Sequence, residues 1–232
     1  APPKNFLKKT LQKFLFLVAH HNVSNTKLAL GINNLTINNK NHVIYNGIDL
    51  NRFYESDKKD IDKINVIMVG RFSQVKNHAL FFNLAEAILS ENKNFIFTAI
   101  GDGIYFNKYF DKYITHEGIN IMSSIDNIED LLSKMHIGLH FSFSEGTPNS
   151  ILEFMASKIP VIATGPGGTK EVIINNKNGI YFEEIFPDFQ ILKLSFLELV
   201  SNKKLKNKLI KNAYITVENN FSFDVMISKY KQ

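Results

Sequence analysis

From about Asn65 onward, short apolar runs alternate with longer stretches whose apolar residues recur every three to four positions. The runs Ile64–Val69, Phe95–Ile100, Ile119–Met122, 137–143, 161–163 and 179–182 predict strands. Between the first two, Ala79, Leu80, Phe82, Leu84, Ala85, Ile88 and Leu89 fall on one helical face. Further helices are predicted over 105–116, 128–135 and 148–157. This alternation implies βαβ units, hence an α/β chain with a Rossmann-like parallel sheet and helices on both faces. Ligands bind such sheets outside the carboxyl ends of the strands. The loops there are 70–77, 101–103, 123–127, 144–149 and 164–169.

The chain before about Lys63 reads differently. Residues 4–13 predict an amphipathic helix, 14–19 a strand, Ser24 a helix cap with the helix running through Leu30, and 43–45 a strand ending at Asn46-Gly47. This stretch has too few apolar residues to fold by itself. It is expected to be the tail of a second, partial α/β domain.

Composition narrows the function classes. The chain has 232 residues, 44% hydrophobic and 21% charged, as soluble globular proteins do. It has no cysteine, which excludes disulfides and thiolate chemistry. The seven histidines show no metal-ligand spacing, so no metal and no cofactor are expected, and His140, in an apolar run, predicts a hydrogen-bonded core histidine. A net charge of +5 favours an anionic partner such as a nucleotide phosphate or an anionic lipid. Lysine is dispersed and arginine occurs only at 52 and 71, which argues against nucleic acid. No run approaches the roughly 18 apolar residues of a membrane span. Lys4, Lys8, Lys9 and Lys13, with Phe6, Leu7, Leu11 and Phe14 between them, fit either an anionic membrane surface or packing on the rest of their domain.

The candidate chemistry lies in the loops. Glu145-Gly146-Thr147-Pro148-Asn149 leads into the apolar run from Ile151, with Glu153 four residues after Asn149 and on its helical face. Pro148 suits a first helical position and Thr147 a cap, and the first-turn amides suit an anion. Paired carboxylates beside such a turn fit a ligand with phosphates and hydroxyls, as a nucleotide sugar has. Gly70 opens a loop with Arg71 and Lys76, two cations able to neutralise a leaving diphosphate. Gly101-Asp102-Gly103 is a tight turn lacking the third glycine of a dinucleotide fingerprint. Gly165-Pro166-Gly167-Gly168-Thr169 is a further loop-to-helix junction or a plain turn.

Taken together, these segments resemble the retaining GT-B glycosyltransferases of family 4, in their C-terminal donor-binding half. The resemblance runs from Val43-Ile44-Tyr45-Asn46-Gly47-Ile48-Asp49 through Val69-Gly70-Arg71-Phe72, Lys76, the Gly101–Gly103 turn and the two glutamates with seven residues between them. It continues through Pro160-Val161-Ile162-Ala163-Thr164 and Gly167-Gly168 to Phe182. It implies that Arg71 and Lys76 hold the donor diphosphate, Glu153 the ribose hydroxyls, and Glu145 the transferred sugar. Gly146, Thr147, Pro148 and Asn149 would contact sugar and phosphates, Ser124 and Ile125 would lie near the base, and Gly70, Gly101 and Gly103 would complete the donor site. It also implies a metal-independent, same-face transfer in which a donor phosphate oxygen helps deprotonate the acceptor. One departure is Ile104, where the family often has proline. The other is that only the end of the acceptor-binding domain is expected here. The implied domains are 1–62, the remnant of that domain with a linker; 63–219, the donor-binding domain; and 220–232, a helix returning to the first domain.

The implied function is sugar transfer from a nucleoside diphosphate, with UDP favoured by the family's habit, to a glycan or lipid-linked acceptor. The alternatives are a nucleotide-sugar-binding fragment without transfer of its own, and a basic module for membrane or nucleic acid. The Asn- and Lys-rich composition fits an AT-rich bacterial genome and cell-envelope polysaccharide synthesis, in the cytoplasm or at the inner membrane face.

Overall fold

The computed structural model describes residues 63–231 and, before them, 11, 14–16, 18–32, 36 and 38–55. A six-stranded, wholly parallel sheet forms the body of the molecule. Its strands are β3 (Ile64–Val69), β4 (Phe95–Ile100), β5 (Ile119–Met122), β6 (Ile137–Phe141), β7 (Val161–Thr164) and β8 (Ile180–Phe182). Their spatial order is β5-β4-β3-β6-β7-β8. The chain therefore steps outward from β3 in one direction and, from β6, in the other. The order reverses between β3 and β6, and a crevice opens where the loops after these two strands part.

Each central strand feeds two cores, because successive side chains point to opposite faces. Val66 and Met68 join one apolar layer, and Ile67 joins the other. The first layer is closed by α2 (His78–Glu91), α3 (Phe106–Tyr113) and α7 (Phe189–Ser201). The second is closed by α4 (Ile128–Leu132), α5 (Asn149–Ala156) and α8 (Lys203–Asn220). On β6, Ile137, Leu139 and Phe141 face the first layer, while Gly138 lies under the Phe154 ring of α5. A Cβ at Gly138 would sit 2.5 Å from that ring. Helix α5 thus lies close against β6, and the next residue on that face, His140, meets α5 as well. Between β7 and β8 comes a single helical turn, α6 (Thr169–Val172).

Strands β3 to β8 and helices α2 to α5 lie where the periodicity places them, with ends shifted by up to three residues, and the junction at 165–169 leads into the single turn α6. Helices α7 and α8, by contrast, were not anticipated individually. The earlier stretch requires corrections. A two-stranded parallel sheet joins β1 (Asn22–Ser24) to β2 (Asn41–Val43), so the second strand precedes the expected 43–45. Helix α1 (Lys27–Ile32) is capped by Thr26, whose Oγ1 accepts from the Ala29 amide, and not by Ser24, which ends β1. The run expected as a strand over 14–19 is helical at 14–16 and 18, and the Ala19 amide reaches back to the Leu15 carbonyl at 3.0 Å. A short apolar run reads alike as strand or helix, and only a partner strand would decide for the former. Of the helix expected over 4–13, only Leu11 lies among the described residues, and it is helical.

The last helix, α9 (Phe223–Tyr230), begins at Ser222, whose hydroxyl accepts from the Val225 amide. It packs on Gly47, where a Cβ would meet Met226, and Ile48 exchanges backbone hydrogen bonds with Phe221 and Phe223.

Candidate functional site

A cleft of about 460 Å3 opens at the carboxyl ends of β3, β4 and β5. That volume falls within the range of small-molecule pockets, about 300–1,000 Å3. Its lining includes Gly70, Arg71, Gly101, Ser124, Ile125 and Glu153. The sheet topology thus gathers six of the sequence-predicted residues from four separate loops and helices.

The walls are held by backbone proximity. Gly101 has φ +150°, and a Cβ there would sit 2.3 Å from the Gly70 carbonyl oxygen. Only glycine allows these two loops to touch. Gly103 lies against the Phe72 carbonyl and does not line the cleft. Asp102, between the two glycines, accepts from the Ser124 amide at 3.2 Å and so ties the second loop to the third. Asp102 was not singled out from the sequence, although its place in the Gly-Asp-Gly turn was the available signal.

Arg71 is exposed at the rim. Lys76 lies beside Gly70, its Cε 3.2 Å from where a Gly70 Cβ would be, and its ammonium pairs with Glu145. Both side chains of this pair are largely withdrawn from water. Glu153 is half-buried on α5 and belongs to two hollows: the main cleft, and a smaller one of about 150 Å3 lined by Gly47, Asp49, Arg52, Asn149 and Phe223. Burial holds its carboxyl above the usual glutamate range; Arg52 and Lys76 oppose the rise and Glu129 adds to it. Arg52 is itself engaged by Glu129 through two nitrogens.

The turn 145–149 is clamped from both sides. On one side, Gly165 (φ +97°) leaves space for the Ser142 carbonyl, which a Cβ would approach to 1.8 Å. The Gly168 amide donates to the Glu145 carbonyl at 2.9 Å, and Gly168 abuts the Gly146 carbonyl. On the other side stands the first part of the chain. The Thr147 hydroxyl donates to the Asn25 carbonyl, and Asn46 Nδ2 donates to Asn149 Oδ1 at 2.8 Å. Thr147 therefore does not cap α5. Pro148 takes the capping position without a side-chain bond, and the helix begins at Asn149. The threonine hydroxyl is drawn away by the Asn25 carbonyl of the earlier chain, a partner that local spacing cannot reveal. Asn149 and Glu153 do share a face, that of the smaller hollow.

Glu171 was also missed. It follows the glycine loop on α6 and accepts from the Lys27 and Leu28 amides at 2.9 and 3.1 Å, at the start of α1, and from the Tyr45 hydroxyl at 2.8 Å. Burial, together with this carboxylate, keeps Tyr45 protonated well above the usual tyrosine range. Among the described residues no three acidic or histidine side chains gather as a metal site would require. No described helix is long and apolar enough to cross a membrane.

Comparison with known proteins gives this geometry a family. The family described as "Glycosyl transferases group 1" matches residues 51–216. An uncharacterized glycosyltransferase of Methanocaldococcus jannaschii is 29% identical over 187 residues, 78% of this chain and 50% of that protein. The GPI3 subunit of Saccharomyces cerevisiae phosphatidylinositol N-acetylglucosaminyltransferase is 24% identical over 132 residues, 55% of this chain and 29% of that protein. This chain thus spans half the length, or less, of these curated relatives. The solved C-terminal domain of a glycosyl transferase group 1 protein from Francisella tularensis superposes with a TM-score of 0.66 at 25% identity, over 76% of this chain and all of that one. Anabaena HepE, solved with UDP and glucose, superposes with a TM-score of 0.82 at 16% identity, over 97% of this chain and 66% of that one, which speaks for the fold. The six-stranded parallel sheet with helices on both faces is that of GT-B glycosyltransferase domains, and the chain belongs to the glycosyl transferases group 1 family.

Proposed function

We propose that this chain carries the donor site of a retaining, family 4 glycosyltransferase. The enzyme moves a sugar from a nucleoside diphosphate, UDP by preference, to a glycan or lipid-linked acceptor in cell-envelope polysaccharide synthesis. The observation that supports this most is that Arg71 and Glu153 line one cleft, with the Lys76–Glu145 pair beside its Gly70 wall. Two cations and a carboxylate at one cleft suit a ligand that carries both a diphosphate and ribose hydroxyls.

In this reading the Arg71 guanidinium takes two phosphate oxygens, and Lys76 turns from Glu145 to the phosphate nearer the sugar. The two cations supply the charge stabilisation that a metal gives in other sites, and they act most strongly as the glycosidic bond breaks. Glu153 accepts from the ribose hydroxyls, and Ser124 and Ile125 flank the base. Glu145 positions the sugar and stabilises the positive charge that develops on its ring. A phosphate oxygen of the leaving group takes the acceptor proton on the face it departs from, so the anomeric configuration is kept. A second reading, binding of the donor without transfer by this chain alone, is favoured by its spanning about half the length of its first relative.

Calorimetry with UDP, GDP and their sugars tests the reading. Binding of at least one nucleoside diphosphate, weakened by Arg71→Ala, is the expected result. No heat with any of them would overturn it.

A further inference from the structure

Beneath Glu145 lies a side chain that the proposed mechanism does not use. His140, on β6, is 1% exposed. Its Nδ1 lies 2.9 Å from the Ser150 hydroxyl on α5. Its Nε2 is buried without a hydrogen-bond partner and points at Glu145 Oε1, 3.8 Å away. That separation is too long for a hydrogen bond and short enough for a small side-chain rotation to close. A buried polar nitrogen left without a partner is costly and uncommon in native structures, so this one calls for a reason.

The reason lies in what else holds Glu145. Its Oε1 already has the Lys76 ammonium, and the Ser142 hydroxyl at 2.9 Å. With Lys76 in place, the carboxylate is satisfied without His140. Without it, the carboxylate keeps one hydroxyl donor in a site largely shut off from water. Burial, with the nearby Lys76 charge, keeps the imidazole neutral. The Ser150 hydroxyl can donate to Nδ1, and in that tautomer the ring proton lies on Nε2, facing the carboxylate.

We infer that His140 is a positioning residue for Glu145: when Lys76 turns away, the His140 Nε2–H takes up Oε1 and keeps the carboxylate aimed at the sugar. That a donor diphosphate is what draws Lys76 away rests on the function proposed above. The hand-over from lysine to histidine does not, because removal of the lysine must produce it as well.

The test is imidazole 15N–1H spectroscopy of the whole chain. In Lys76→Ala without ligand, the His140 Nε2–H resonance moves downfield and exchanges more slowly with water. Lys76→Met, which keeps the apolar stem, gives the same shift. Adding Glu145→Ala to either variant returns the resonance to its parental position. A resonance unmoved in both lysine variants overturns the inference, as does a shift that survives the loss of Glu145. In the parent chain, saturating UDP reproduces the Lys76→Ala shift; UDP bound with the resonance unmoved overturns the diphosphate as the trigger, and the lysine variants decide the hand-over itself. Failure of every nucleotide to bind would instead overturn the proposed function, and the lysine variants would still decide the hand-over.

Discussion

Lys76 and Glu145 close on each other from loops after neighbouring strands, β3 and β6, at the point where the strand order of the sheet reverses. The pairing places a cation and a carboxylate at the position where an α/β sheet offers its crevice. An exposed ion pair is worth little, but this one is mostly shielded, and each partner depends on the other. Lys76→Ala is expected to lower nucleoside diphosphate affinity by about tenfold or more, the effect of one lost charged hydrogen bond at roughly 1.5–3 kcal/mol. Calorimetry reads this directly, and an unchanged affinity would detach Lys76 from the phosphates.

Glu153 separates the nucleoside from the phosphates. If it holds the ribose hydroxyls, Glu153→Ala weakens UDP by about tenfold and leaves the weaker binding of inorganic pyrophosphate as it was. Competition between the two ligands shows the difference. An equal loss for both would mean that the change disturbs the whole cleft.

Glu171 joins the start of α1 to the glycine loop that braces Glu145. Glu171→Ala leaves two amides and the Tyr45 hydroxyl to water. Because the amides are near the surface, the expected cost is modest, about 1 kcal/mol. The sharper readout is amide hydrogen exchange, which should accelerate at Lys27 and Leu28 and stay unchanged in β3, β4 and β6. Unaltered protection at those two amides would reject the clamp.

His78 gives the chain a dependence on pH. It is 1% exposed and stacks on Phe72 at 4.2 Å between centroids. Burial pushes its pKa down to about 4. The unfolded chain therefore takes up a proton near the ordinary value of about 6.5 that the folded chain refuses until about pH 4. The contribution to stability is complete above the upper value and declines as pH falls towards the lower one. Between pH 7 and pH 5 the decline from this group is about 2 kcal/mol. Urea denaturation at the two pH values measures it against His78→Phe, which keeps a ring against Phe72 and should reduce the difference by about that amount, leaving the part that the buried His140 contributes in the same direction.

The strand–helix alternation from Ile64 to Phe182 determined the fold class, since apolar runs of strand length bounded by glycine turns leave few other solutions. It also determined that the loops after β3, β4, β5 and β6 share one rim of the sheet. That placed the loops of Arg71, Gly101 and Ser124 on one rim, and the family resemblance added Glu153 from the following helix. The tertiary structure decided what two-residue and four-residue spacings cannot carry. Thr147 left the helix cap for a carbonyl 122 residues earlier in the chain. Residues 14–16 and 18 became helical, with no partner strand beside them among the described residues. Glu171 found the amides of α1, and His140 came under Glu145 because Gly138 lets α5 lie close on β6. Periodicity reports which face of an element is apolar. Which groups meet across two elements depends on how closely their backbones approach, and that is settled only when the layers pack.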